Sequence, residues 1–248
     1  MIEVKSLTKS FGKKLAVDNT TWTAKSGHIT GFIGQNGAGK TTTLSMLTGS
    51  LRPTSGEILL DGINIETSPL EAKKKFGYVS DSPDHFLRLK AREYLDFIAD
   101  VYEVSLKKRD EFINNFAARF GLSDSLDQPI LSFSHGMRQK LMIMGALIHD
   151  PDIWILDEPL TGLDPESAYE LKNIMKDHAK KGKTVLFSTH ILEVAEKLCD
   201  EVIIIQKGKI IFSGTLSSLK SRYPSSSLED IFLKINKNSE KESKNAKN

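Results

Sequence analysis

A single cysteine in 248 residues, Cys199, excludes an internal disulfide and leaves no second thiolate to share a metal with it. No apolar run approaches the ~20 residues that a helix needs to cross a bilayer; the longest clear one covers 141–148. Glu3, Lys5 and Lys9 interrupt the start, so no secretory leader is expected. Neither sign of charge dominates: 34 basic and 32 acidic residues leave a formal net charge of +2. That balance gives no general reason to expect a nucleic-acid partner, and any contact with a membrane is expected to be indirect, without insertion. The 39% hydrophobic content is enough for one sizeable core with a smaller lobe attached.

Glycine, by contrast, is concentrated where it carries chemistry. Gly34-Gln35-Asn36-Gly37-Ala38-Gly39-Lys40-Thr41, followed by Thr42, has the spacing of a phosphate-binding loop, in which glycines let successive backbone N–H groups turn inward around phosphate oxygens. Lys40 is placed to reach the β and γ phosphates, and the Thr41 hydroxyl to meet the Mg²⁺ that bridges them. The context suits the motif. Residues 29–33 read as a short buried strand, and Leu44, Met46 and Leu47 as a helix that Gly49 can end.

A second constellation follows about 115 residues later, where Ile153-Trp154-Ile155-Leu156 runs into Asp157-Glu158-Pro159. Four apolar residues predict a strand buried on both faces with an acid at its end. Asp157 is a candidate metal ligand, and Glu158 a candidate base that polarises an attacking water. Two adjacent carboxylates near a triphosphate are costly without a compensating cation, so the pair argues for a bound metal.

Together with Phe133-Ser134-His135-Gly136-Met137, Gly162-Leu163-Asp164 and His190, these motifs resemble the nucleotide-binding domain of an ABC transporter over about residues 1–220. The resemblance implies an α/β chain built on a P-loop NTPase (RecA-like) core with a mostly parallel sheet, an N-terminal antiparallel β subdomain and an inserted α-helical subdomain. It implies ATP hydrolysis with Mg²⁺, with Glu158, His190 and Lys40 as the catalytic group. ATP-binding residues carried over are Phe11, stacked on the adenine, the loop residues Gly34, Asn36, Gly37, Ala38, Gly39, Lys40, Thr41 and Thr42, and Ser134 and Gly136. The last two contact the ATP held by a second cassette, in a homodimer or heterodimer closed head to tail. A separate transmembrane permease subunit would place the protein at the cytoplasmic face of the cell membrane. The run Ser134 to Gln139 resembles bacterial exporters of drugs or peptides, of the ABC-2 and EcsA-like type.

Two departures from that pattern stand out. Where the family usually places a glutamine after the strand 76–79, this chain has Ser80-Asp81-Ser82-Pro83; Asp81 is the expected replacement, an acceptor-only group facing the metal beside Thr41 and Asp157. In the signature, His135 stands where glycine is usual and Met137 where glutamine is commonest.

Around these motifs, alternation and turn signals predict antiparallel hairpins over the first ~27 residues and at 56–65, around Asp61-Gly62. Helical periodicity fills 85–150, with stripes at Tyr94, Leu95, Ile98 and Val101 and at Phe112, Phe116 and Phe120. The β-subdomain and P-loop core are expected in 1–80 and 151–220, and 221–248 reads as a flexible Ser/Lys-rich tail. The competing reading is a soluble ABC ATPase that serves a non-membrane scaffold, as in iron–sulphur assembly. Its discriminating observation is the nature of the copurifying partner.

Overall fold

The computed structural model describes residues 1–223 and 227–235. The chain opens with β1 (Ile2–Phe11) and β2 (Lys14–Ala24), then β3 (Ile29–Ile33), α1 (Lys40–Leu47), β4 (Ser55–Leu60) and β5 (Ile63–Asn64). Next come α2 (Pro69–Lys74), β6 (Phe76–Val79), α3 (Ala91–Val101), α4 (Leu106–Phe120) and α5 (His135–Leu147). The last part contains β7 (Ile153–Asp157), α6 (Pro165–Lys180), β8 (Thr184–Thr189), α7 (Leu192–Leu198), β9 (Glu201–Gln206), β10 (Lys209–Thr215) and α8 (Leu216–Arg222).

Two sheets organise these elements. A four-stranded antiparallel sheet has the order β2-β1-β4-β5, and a six-stranded sheet the order β10-β9-β3-β8-β7-β6. In the larger sheet every pair is parallel except β10 with β9. Its strands read as unbroken apolar runs because both faces are covered, and the period of two divides each strand between two cores. Trp154, Leu156, Val185 and Phe187 point toward the helical side. Ile153, Ile155, Leu186 and Phe32 point toward the antiparallel sheet and α1. All eight are fully buried, each worth about 1.5–3 kcal/mol relative to exposure.

Between β6 and β7 the chain builds the helical lobe. Its α5 lies directly on β6, where a side chain at Gly77 would strike the Ala146 carbonyl. Tyr94 and Leu95 face inward as the stripe predicts, whereas Val101, at its far end, is 57% exposed. Phe112 and Phe116 stack at 4.2 Å and half-bury against the core that Phe120 enters.

The expectation of a flexible segment over 221–248 needs correction. Residues 228–235 form a helix, and Leu228, Ile231, Phe232 and Ile235 are buried in the same cluster as Phe212 and Leu219. The Leu228 N–H donates to Glu196 Oε2 at 3.1 Å, and Lys220 pairs with the other oxygen of that carboxylate at 2.7 Å. Four apolar residues at helical spacing outweigh the polar average of the segment. The remainder of the expected tail, 224–226 and 236–248, lies outside the described residues.

Two histidines, His178 buried and His149 half-buried, make the fold acid-sensitive. His149 stacks on Tyr102 at 3.7 Å, and Trp154 meets His178 edge-on at 5.7 Å. His149 Nδ1 and His178 Nε2 have no hydrogen-bond partner among the described residues. Burial pushes both imidazoles down to about 4. The unfolded chain therefore takes up these protons first as pH falls through about 6.5, and stability is lost down to about pH 4, at roughly 1.4 kcal/mol per unit of difference. Denaturant midpoints should fall across that window less steeply for the double variant His149→Gln/His178→Gln than for the parent chain. Equal slopes would remove the histidines from the acid response.

Candidate functional site

The carboxyl ends of the parallel strands β3, β6, β7 and β8 deliver the site, the usual place for ligands in open α/β sheets. From β3 the chain enters the glycine loop, which folds back on the first residues of α1. Gly34 and Gly39 are held against other backbone: a Cβ on Gly34 would stand 2.6 Å from the Ile205 carbonyl, and one on Gly39 2.8 Å from that of Ala16. Gly39 also has φ 113, a conformation that L side chains rarely adopt. The loop thus needs glycine for close approach as well as for its turn. The Lys207-Gly208 turn between β9 and β10 supports it, with the Gly208 N–H donating to Ala38 O at 2.9 Å.

Lys40, the first residue of α1, is 6% exposed, and its ammonium donates to Gly34 O at 2.8 Å and to Gln35 O at 3.4 Å. Glu158 bridges from the opposite wall, with Oε1 3.5 Å from Lys40 Nζ and Oε2 3.0 Å from His190 Nδ1. The three expected catalytic residues are therefore in one contact chain. Glu158 has φ 47, a strained region for a non-glycine residue, which turns its carboxylate out of the β7 ladder and over the loop. Ser188 locks this corner: its hydroxyl accepts from the Glu158 N–H at 3.1 Å and donates to Asp157 Oδ1.

Asp157 is fully buried, and its Oδ2 has no hydrogen-bond partner among the described residues. Burial pushes its carboxyl above the usual range, the Ser188 and Thr41 hydroxyls pull it down, and the charges of Asp81 and Glu158 raise it further. An orphaned buried carboxylate oxygen beside the Thr41 hydroxyl is chemistry that suits a hard divalent cation. Among the described residues no group of three or more His, Cys, Asp or Glu could hold a metal by itself. Cation binding here would thus require oxygens brought by a ligand.

The cleft has a volume of about 710 Å³. Of the site residues expected from the sequence, Phe11, Asn36, Gly37, Gly39, Lys40, Thr41, Thr42, Asp81 and Glu158 line it, whereas Asp157 and His190 do not. Phe11 is half-exposed at the rim, with Lys9 Nζ 5.2 Å over its ring. Gly34 and Ala38 are buried beneath the loop. The sequence reading missed Lys14, Leu15, Ala16, Lys207 and Gly208; hairpin turns have no local signal of which loop they will face.

Ser134 and Gly136 do not line this cleft. They start α5, where Ser134 is exposed and its hydroxyl accepts from the Met137 N–H at 3.2 Å. The serine cap foreseen for this helix is present, on a surface separate from the loop of the same chain.

The ABC transporter family description matches residues 17–161, more than half of the chain. This chain belongs to the ABC transporter ATP-binding family. It is 38% identical to the ABC transporter ATP-binding protein NatA of Bacillus subtilis, covering 88% of this chain and 89% of NatA. EcsA of the same organism is 34% identical, with 96% and 97% covered. YbhF of Escherichia coli, named a probable multidrug ABC transporter ATP-binding protein, is 34% identical over 99% of this chain, which spans 43% of YbhF's length. A solved ATP-binding subunit of an ABC transporter superposes with a TM-score of 0.91 at 30% identity, covering 95% and 99%. The cassette MJ0796, solved as a dimer bound to ADP and Pi, agrees in fold, with a TM-score of 0.78 at 24% identity and 87% and 99% covered. The cassette therefore has the P-loop NTPase fold anticipated from its motifs, and it is an ATP-binding subunit of the kind that hydrolyses ATP.

Proposed function

We propose that this cassette drives a bacterial exporter, with each ATP held between two head-to-tail cassettes and the conformational change passed to a separate transmembrane permease. The observation that carries the two-subunit reading is the position of Ser134 and Gly136: they stand at an exposed helix N-terminus, a favourable place for a phosphate, yet outside the cleft of their own chain. A site that uses them must take them from another copy or a paired cassette. The exporter reading draws on the likeness to YbhF, a probable multidrug ABC transporter ATP-binding protein.

In the proposed cycle the loop amides and Lys40 bind the phosphates, and Lys40 leaves the Gly34 carbonyl and Glu158 to do so. Phe11 stacks on the base. Thr41, Asp157 and Asp81 would hold Mg²⁺ when it binds with ATP, and it would supply positive charge to the phosphates. Glu158, still oriented by His190, takes a proton from water as the water oxygen bonds to the γ phosphorus and the bond to the ADP oxygen breaks. Asp81 carries the cleft wall nearest the permease face. We expect Asp81→Ala to raise the Mg²⁺ concentration for half-maximal turnover by about ten-fold, the cost of one charged contact. Unchanged Mg²⁺ dependence would exclude Asp81 from the metal's surroundings.

The permease contact is placed beside the loop that follows β6. Phe86 and Phe97 are 47% and 48% exposed with rings 6.0 Å apart, and Leu131 is 62% exposed. Leu87 and Leu89, in the same loop, are half-buried against the core instead. No helix among the described residues is long and apolar enough to cross a membrane, so attachment at the cytoplasmic face would run through such a patch. Copurification from native membranes tests this reading. A polytopic partner is the expected result, and a soluble scaffold would favour the iron–sulphur type of ATPase.

A further inference from the structure

The segment 159–164 links the strained Glu158 to Asp164, the N-cap of α6, and α5 grips it from one side. Gln139 is buried and donates Nε2 to Pro159 O at 3.5 Å. Lys140 Nζ lies 3.1 Å from Asp164 Oδ2, whose carboxylate also accepts from Ser167 N–H at 2.9 Å. Between these two ties the backbones of Gly136 and Gly162 touch, so that a Cβ on Gly136 would stand 2.8 Å from Gly162 O. The His135 ring lies across Gly162 itself. A Cβ there would come within 2.9 Å of His135 Nε2 and closer still to Cδ2. Gly162 has φ 77, so the ring covers a bare, left-handed backbone position that no side chain shields.

We propose that His135 is a positioning residue for ATP hydrolysis: its ring, seated on Gly162, fixes the 159–164 turn and through it the orientation of Glu158. The proposal rests on the reading of Glu158 as the group that activates water. Physically, Glu158 holds an unfavourable φ of 47 and stays there only while its surroundings over-determine it. On the strand side Ser188 does this, through the Glu158 N–H. On the turn side there are two internal bonds, an ordinary one from Thr161 N–H to Glu158 O at 3.1 Å and a long one from Leu163 N–H to Leu160 O at 3.4 Å. The long Gln139 bond and the half-exposed Lys140–Asp164 pair add little rigidity. Leu160 and Leu163 pack against the core, and the ring over Gly162 adds a constraint that comes from the helix that carries Ser134 and Gly136. A change at the start of α5 is thereby transmitted to the chain's own base.

Steady-state kinetics of three variants test this. His135→Ala should lower kcat by about ten-fold while KM for ATP stays within about two-fold, since a misplaced base slows the chemical step without touching the bound nucleotide. His135→Phe keeps a ring of similar size on Gly162, and should restore kcat to within about two-fold of the parent. An unchanged kcat in His135→Ala, or a His135→Phe variant as slow as His135→Ala, would overturn the proposal; so would a KM that rises while kcat holds, because the imidazole would then be touching nucleotide. Glu158→Gln serves as the control: normal turnover there would defeat the reading of Glu158, independently of His135.

Discussion

Glu158→Gln will release phosphate about 10³-fold more slowly than the parent chain while binding ATP at least as tightly. Glutamine keeps the size and the contact with His190 that now measures 3.0 Å to the carboxylate, so the corner made by Asp157, Glu158 and Ser188 is not disturbed. It cannot accept a proton from water, and loss of a general base costs about two to four orders of magnitude. The substitution also removes one of the two carboxylates, Asp81 and Glu158, that line the cleft. Phosphate binding is therefore eased. Closure survives while its release by hydrolysis does not, so the variant should run as a dimer on a sizing column with ATP and Mg²⁺. A monomer under excess ATP would contradict the account.

Lys40→Ala should act one step earlier, weakening ATP binding by about 100-fold in calorimetry. The ammonium is buried, and its neighbours are the carbonyls of Gly34 and Gln35 and the Glu158 carboxylate. Its proposed ATP contacts are charge-assisted bonds to two phosphates, worth about 1.5–3 kcal/mol each, and about 3 kcal/mol in total corresponds to two decades of affinity. ADP, which lacks the γ phosphate, should lose less. Lys40→Arg should fail to restore binding, because a planar guanidinium needs more room than a point charge on a flexible stem. Equal affinities for ATP in the parent and the alanine variant would show that the loop does not hold the triphosphate.

Much of this site was legible because its chemistry is contiguous in sequence. The strand 29–33 is found where its largely apolar run placed it, buried on both faces with Thr30 the one polar side chain enclosed. Asp157 and Glu158 follow such a run, and the contact chain Lys40–Glu158–His190 joins three motifs, the first over a hundred residues before the other two. What pattern could not supply was the positive φ at Glu158, or the role of Ser188 in fixing it, because both depend on the neighbouring strand. The hairpin residues Lys14, Lys207 and Gly208 reach the cleft only through tertiary packing. The segment 228–235 was obscured differently. Its apolar residues stand at positions i, i+3, i+4 and i+7, but the serines and lysines around them set the local average, and periodicity over so few residues carries little weight against composition.

Departures from the commoner signature sharpen the picture. At His135 a ring occupies the backbone seat at Gly162, and at Asp81 an anion faces Asp157 across the cleft. Both alter how the site is held together without removing any member of the hydrolytic group.

The most direct test of the account is a mixing experiment with two disabled chains, Lys40→Ala and Ser134→Arg. One lacks the phosphate loop's charge, and the other lacks the surface that a second subunit's ATP would meet. Each alone should be nearly inactive. Mixed in equal amounts, half of the dimers would hold one intact composite site, and turnover should recover to about a quarter of the parent rate. Full turnover by Ser134→Arg alone, or a mixture no more active than its components, would contradict a site shared between two subunits of this chain.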